Sequence, residues 1–237
     1  VQEMARVRFF DHIASSGPRE IPAGAAQGVW LYLSVPADAE PGRYAGSLQV
    51  EADGVAPVAV PVEAEVLGWR LPDAKEFQTV MALEQSPYGV AKQYGVAPWS
   101  DEHYRLMEAS YRELARVGND WLFVPVLNYT EFGNQADSPI RWVRKADGGL
   151  AFDFKGLDRY LDLAVKHWGV PQVISFVVMH GNPANSPEVT VYDEAGKRGP
   201  MKVGGEGVSP EDRRKIWGPF CAALYDHMKC RGLEKAM

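Results

Sequence analysis

The sequence is short of the features that announce several large classes of protein. Two cysteines in 237 residues cannot build a disulfide framework. Cys221 and Cys230 fall on one predicted helix, about 13.5 Å apart along its axis at ~1.5 Å per residue, beyond the ~7 Å that a disulfide allows. They are expected to be buried thiols, silent about redox compartment. No apolar run approaches the ~20 residues of a membrane helix, and no signal peptide is recognisable. Basic residues are outnumbered 25 to 31, for a net charge of -6, and no cluster of Lys and Arg alternates with aromatics, so nucleic acid is not an expected partner. A Gly-Xaa-Ser-Xaa-Gly elbow and a dinucleotide fingerprint are missing too. Gly204-Gly205-Glu206-Gly207 precedes a helix, but it lacks the Lys-Ser/Thr ending and the preceding strand of a phosphate loop. With no His-Xaa-His, His-Glu-Xaa-Xaa-His or cysteine pair, neither a metal nor another cofactor is expected.

What is present is a globular composition, 46% hydrophobic, with seven Trp and ten Tyr. Over residues 1–70 the pattern is β. Residues 1–10 read as a strand; Val29, Leu31, Leu33 and Val35 alternate with Trp30, Tyr32 and Ser34; Tyr44, Leu48 and Val50 alternate with polar neighbours. A further run puts Val58, Val60, Val62, Ala64 and Val66 on one face, with Pro61 marking an edge. Turn signals at Pro41-Gly42 and Asp53-Gly54 separate the runs at the spacing of an antiparallel β-sandwich.

After a linker at residues 71–76 the period changes, and residues 77–237 alternate strand with helix. Strands are expected at 77–83, 121–127 and 172–179. Helices are expected from Ser100 to Gly118, near 156–168, and from Ser209-Pro210 to about Gly232. Three such units imply a parallel sheet. About 160 residues cannot hold a complete (β/α)₈ barrel, which takes ~250. Long loops after each strand, at 84–99, 128–151 and 180–208, favour the first three units of a truncated TIM-type barrel over an open sheet. The last loop contains an expected hairpin of 189–192 with 201–203.

At a barrel's functional face, residues just past the strands line the pocket. That places Glu84 and Gln85 after the first strand, Asn128, Tyr129 and Glu131 after the second, and His180 and Asn182 after the third. Glu84, Asn128, Tyr129 and His180 are the candidate substrate-binding residues, each with a purely structural alternative: a loop partner for Glu84, a turn cap or plug for Asn128 and Tyr129, a hydrogen bond beneath the loop for His180. His12, His103, His167 and His227 are scattered over strand ends and helix faces. The carboxylate pairs Asp101-Glu102, Asp193-Glu194 and Glu211-Asp212 read as helix starts and a hairpin tip rather than as a catalytic pair. A third possibility is a small α/β enzyme with Glu84 and Glu131 as its pair, which needs their carboxyls ~5–9.5 Å apart.

The stretch from Trp30 to Gly46, with Pro41-Gly42-Arg43-Tyr44-Ala45-Gly46 at its end, the alternating Val strands and Leu71-Pro72 resemble the N-terminal sandwich of glycoside hydrolase family 123 and its broader relatives. The second half resembles the start of that family's barrel through Trp99-Ser100-Asp101, Asn119-Asp120-Trp121 and Phe152-Asp153-Phe154. The resemblance covers nearly the whole chain. It implies a β-N-acetylgalactosaminidase-like parent acting on glycan or glycosphingolipid ends, outside the cell or in the periplasm. It also implies a substrate-assisted mechanism in which the 2-acetamido oxygen attacks the anomeric carbon, an Asp holds the amide and a neighbouring Glu protonates the leaving oxygen. In the family that Asp-Glu pair ends the strand due after the third helix, so it is expected beyond Met237, as any export signal is expected ahead of Val1. This chain alone is then expected to have no catalytic residues and no hydrolytic activity. The competing expectation, from another class, is a carbohydrate- or protein-binding sandwich on a non-catalytic α/β scaffold.

Overall fold

The computed structural model describes residues 20–134, 137–178 and 187–237. The chain divides into two compact units, Val1–Leu71 and Pro72–Met237.

Among the described residues of the first unit the regular structure is one antiparallel hairpin, β1 (Gly42–Val50) with β2 (Val58–Val66). Its register pairs Tyr44 with Ala64, Gly46 with Val62 and Leu48 with Val60, so the two apolar series fall on the same face, as a period of two requires. Tyr44 donates its hydroxyl to the Glu40 carbonyl at 2.8 Å, pinning the turn that opens β1. The strand expected at residues 29–35 is absent: this stretch is exposed and irregular, with Trp30 at 75% and Tyr32 at 76% exposure. Leu33, Val35 and Pro36 face the apolar side of the hairpin across a cavity of about 290 Å³ and form no ladder with it. Alternation supplies a face, but a strand also needs a partner for its N–H and C=O groups. The described residues of this unit therefore form a single two-stranded sheet. The strand expected at 1–10 lies outside the described residues.

The second unit is mixed α/β. Helices α1 (Pro87–Tyr94), α2 (Asp101–Arg116), α3 (Lys155–Trp168) and α4 (Pro210–Cys230) alternate with strands β3 (Trp121–Pro125), β4 (Arg141–Arg144), β5 (Leu150–Asp153), β6 (Val173–Val177), β7 (Glu188–Tyr192) and β8 (Arg198–Lys202). Strands β3 and β6 run parallel, Trp121 opposite Val173 and Pro125 opposite Val177. On the other side of β3 the stretch expected as a strand at 77–83 is reduced to one parallel bridge, Met81 with Asn119. The Asn119 side chain makes the join: Oδ1 accepts from the Leu83 N–H at 2.7 Å while Nδ2 donates to the Trp121 carbonyl at 3.2 Å. The three parallel stretches thus stand in chain order.

The loops that follow β3 and β6 carry strands of their own. Hairpin β4–β5 was not expected; hairpin β7–β8 was. The two join through a parallel β4–β7 contact into one sheet of order β5-β4-β7-β8. Trp142 of β4, fully buried, stacks on Phe220 of α4 at 4.7 Å, and Phe152 and Trp217 meet it edge-on. On the other helices Tyr111 of α2 stacks on Trp168 of α3 at 4.6 Å. Helix α1, inside the expected 84–99 loop, is capped by Ser86, which accepts from the Gly89 N–H at 2.9 Å, and has Pro87 in its first turn. Helix α4 buries only Phe220, Leu224 and Met228, one side of a 21-residue rod. Cys221 and Cys230 lie on its exposed faces, not in the core. No helix of the described residues is long and apolar enough to cross a membrane.

Candidate functional site

The strand β3 runs on into Val126 and Leu127, both fully buried, and the chain then turns through Asn128–Asn134. Asn134 organises this turn. Its Oδ1 accepts from the Thr130 N–H and hydroxyl, and its Nδ2 donates to the Leu127 carbonyl at 2.6 Å and the Asp137 carbonyl at 3.2 Å. Tyr129 holds a left-handed φ of 58° with its N–H on the Asn134 carbonyl at 2.7 Å, and half of its surface is exposed.

Asn128 is 2% exposed. Its backbone N–H donates to the Glu188 carbonyl at 2.8 Å, and its Nδ2 donates to the Thr190 hydroxyl at 3.0 Å. It ties the β3 turn to β7, which is the plug-like role rather than a pocket wall, although its Oδ1 is buried with no partner among the described residues. Glu84 and Glu131 are exposed. Gln85 is half-buried, with a similarly unpartnered Oε1. His180 and Asn182 lie outside the described residues.

Beside this turn the second unit has a cavity of about 320 Å³ that sequence patterns did not single out. Its wall includes Trp99 before α2, Asp137 from the β3–β4 connection, Arg141 at the start of β4, Asp153 at the end of β5, and Thr190 and Tyr192 of β7. Trp99 and Asp153 belong to two of the motifs quoted above, but only the assembled chain brings them to one cavity. Trp99 has a left-handed φ of 63°, a conformation that costs a non-glycine residue roughly 1–3 kcal/mol and persists where neighbours impose it.

The neighbour here is His103, fully buried. Its Nδ1 accepts from the Trp99 N–H at 2.8 Å, so Nε2 carries the proton and donates to the Pro87 carbonyl at 2.8 Å. Burial pushes the imidazole below its ordinary value, keeping it neutral, against the weaker upward pull of the Pro87 carbonyl. Tyr88, Tyr104 and Tyr160 surround the Trp99 ring at 5.5–6.0 Å. Burial pushes the phenol of Tyr160 up to about 12 and raises those of Tyr88 and Tyr104 well above the ordinary phenol value, so these rings hold their protons at any physiological pH.

Elsewhere on the wall, the Arg141 guanidinium lies over the Tyr192 ring at 3.8 Å. Arg198 reaches Asp137 at 3.4 Å, and Asp153 Oδ1 accepts from the Lys155 N–H at 2.9 Å. Gly156, also on the wall, has no room for a side chain: a Cβ there would sit 2.6 Å from the Pro139 carbonyl oxygen.

The adjacent carboxylates are engaged elsewhere. Asp101 pairs with Arg159 at 2.8 Å, Glu102 with Arg105, and Glu211 with Lys215 at 2.8 Å. Asp212 meets its cap Ser209, Asp193 closes the β7–β8 turn on the Lys197 N–H, and Glu194 accepts from the Ala146 N–H. No group of three or more His, Cys, Asp or Glu among the described residues could hold a metal ion.

Comparison with known proteins bears on the whole of this region. Among curated proteins none matches the sequence. The structure is similar to that of a family 123 glycoside hydrolase from Clostridium perfringens, a structure concerned with glycolipid glycan hydrolysis. The TM-score is 0.71 at 20% identity, covering 85% of this chain and 36% of that one. At that identity the likeness is one of fold, and the chain spans about a third of the length of its relative. The model of the glycoside hydrolase 123 catalytic domain matches residues 85–237, which contain the β3 turn, the cavity and all four α-helices. The chain belongs to glycoside hydrolase family 123.

Proposed function

We propose that this chain is part of a glycosidase that removes a terminal β-linked N-acetylhexosamine, N-acetylgalactosamine first among them, from a glycan outside the cell or in the periplasm. The observation that carries the reading is the family match over residues 85–237. The Clostridium perfringens relative, whose structure concerns glycolipid glycan hydrolysis, supports a glycan substrate and no finer choice of sugar.

In this reading the stretch around Met81, β3 and β6 are the first three strands of a (β/α)₈ barrel. The long insertions carrying β4–β5 and β7–β8 form its functional end, and β1–β2 belongs to a supporting sandwich. Glu84 and Tyr129, both accessible, offer a carboxylate and a ring to sugar hydroxyls. Asn128 holds the turn that presents Tyr129. His180 adds a hydrogen-bonding group past the third strand.

The reaction is substrate-assisted. The acetamido oxygen displaces the leaving group at the anomeric carbon and forms an oxazoline ring, an Asp steadies the amide, and a Glu delivers its proton to the departing oxygen before water opens the ring. Those two acids lie on the strand that succeeds α4. In support, the adjacent carboxylates described above serve caps, ion pairs and turns.

The test is dependence on the acetamido group. A product continuing through the next β/α unit should cleave an aryl N-acetyl-β-galactosaminide but not the aryl β-galactoside, and His180→Ala should lower the rate. Equal turnover of both glycosides would overturn the mechanism, and an unaffected His180→Ala enzyme would remove His180 from the site.

A further inference from the structure

We propose that the 320 Å³ cavity lined by Trp99, Asp137, Arg141, Asp153, Thr190 and Tyr192 is a subsite for one neutral pyranose ring of a glycan. It is separate from Glu84, Asn128 and Tyr129, none of which lines it. The choice of ligand class rests on the glycosidase reading; the existence of a site does not.

Size comes first. The volume stands at the low end of the ~300–1,000 Å³ typical of small-molecule pockets, which suits a single ring rather than an oligosaccharide. The chemistry of the wall then selects among single rings. A pyranose hydroxyl both donates and accepts. Asp137 and Asp153 can accept from such hydroxyls, while Arg141 and the Thr190 and Tyr192 hydroxyls can donate to them. Two carboxylates against one lining guanidinium leave no surplus positive charge for an anionic sugar. The second nearby guanidinium, Arg198, already meets Asp137 at 3.4 Å.

The wall is also fixed before any ligand arrives. His103 Nδ1 holds the N–H of Trp99, whose φ is left-handed, at 2.8 Å. Asn128 Nδ2 holds the Thr190 hydroxyl at 3.0 Å, the start of α3 anchors Asp153 at 2.9 Å, and Tyr192 supports Arg141 at 3.8 Å. Four independently anchored groups around one cavity reduce the ordering cost that binding would otherwise carry. They also give a use to Asn128 that its burial would not suggest: it positions a wall residue.

The experiment uses the 237-residue chain, with calorimetry and saturation-transfer NMR as readouts. The probes are methyl β-D-galactopyranoside, its 2-acetamido analogue and N-acetylneuraminic acid. A neutral glycoside should bind in the millimolar range. Arg141→Ala and Asp137→Asn should each weaken it about tenfold, through loss of a charged hydrogen bond, with Glu113→Gln, exposed on α2 and outside the cavity wall, within about twofold. Melting temperatures are read alongside. Arg141 is exposed, so its variant decides the matter if Asp137→Asn fails to fold. No transfer to either neutral glycoside, unchanged binding by Arg141→Ala, or preference for N-acetylneuraminic acid would overturn the subsite. Hydrolysis by a longer product while this chain binds nothing would sink the subsite alone. Binding here without hydrolysis there would sink the glycosidase reading alone.

Discussion

Replacing His103 by alanine tests the physical core of the site. The imidazole satisfies the Trp99 N–H and the Pro87 carbonyl at 2.8 Å each, and both would be left without partners in the interior. Each orphaned group costs about 1–3 kcal/mol, so a loss of roughly 2–6 kcal/mol is expected, a large share of the ~5–15 kcal/mol that holds a domain together.

Protonation adds a second signature. The folded-state pKa of His103 is lowered, so in the window below the ordinary value the unfolded chain binds more protons than the folded one. Stability from the neutral imidazole is complete above pH 6.5 and falls as the pH drops below it, by up to about 1.4 kcal/mol per unit. Urea unfolding near pH 7.5 and near pH 5 should therefore show the alanine penalty shrinking in acid. A penalty under about 0.5 kcal/mol, or one equal at both pH values, would refute the argument that a neutral His103 holds Trp99 in place.

Three further outcomes follow from single contacts. Gly156→Ala drives a Cβ to 2.6 Å from the Pro139 oxygen, and chemical unfolding should show a loss of about 1–3 kcal/mol from overpacking. Trp142→Ala empties the stack on Phe220 and should cost about 3–5 kcal/mol by the same measurement. Both cysteines, exposed on α4, should react with a thiol reagent in the folded chain without prior denaturation, which mass spectrometry would count.

The elements legible in the sequence were those whose signals are local. Ser100 and Ser209 announced α2 and α4, and the alternation of 58–66 with 44–50 placed β1 and β2 on one face. The Ser86-Pro87 pair carries the same capping signature as Ser209-Pro210, so α1 was readable in a stretch taken for a loop. Non-local pairing was not readable. Arg141-Trp142-Val143-Arg144 is four residues long and becomes a strand because β5 and β7 flank it, whereas residues 29–35 alternate well and find no ladder among the described residues. The same limit governs the site. Asn128 was placed at the end of its strand, but its burial depends on Glu188 and Thr190, some 60 residues on. The cavity draws its wall from Trp99 to Tyr192, a set that only tertiary structure assembles.

The proposal under test is that this chain, a member of glycoside hydrolase family 123, lines a substrate site whose acid pair belongs to the barrel strand due after α4. It is tested most directly by assaying an aryl N-acetyl-β-galactosaminide with the 237-residue chain and with a product that continues past Met237 through the next β/α unit. Turnover by the longer protein alone is the predicted result. Appreciable turnover by the 237-residue chain would contradict the account.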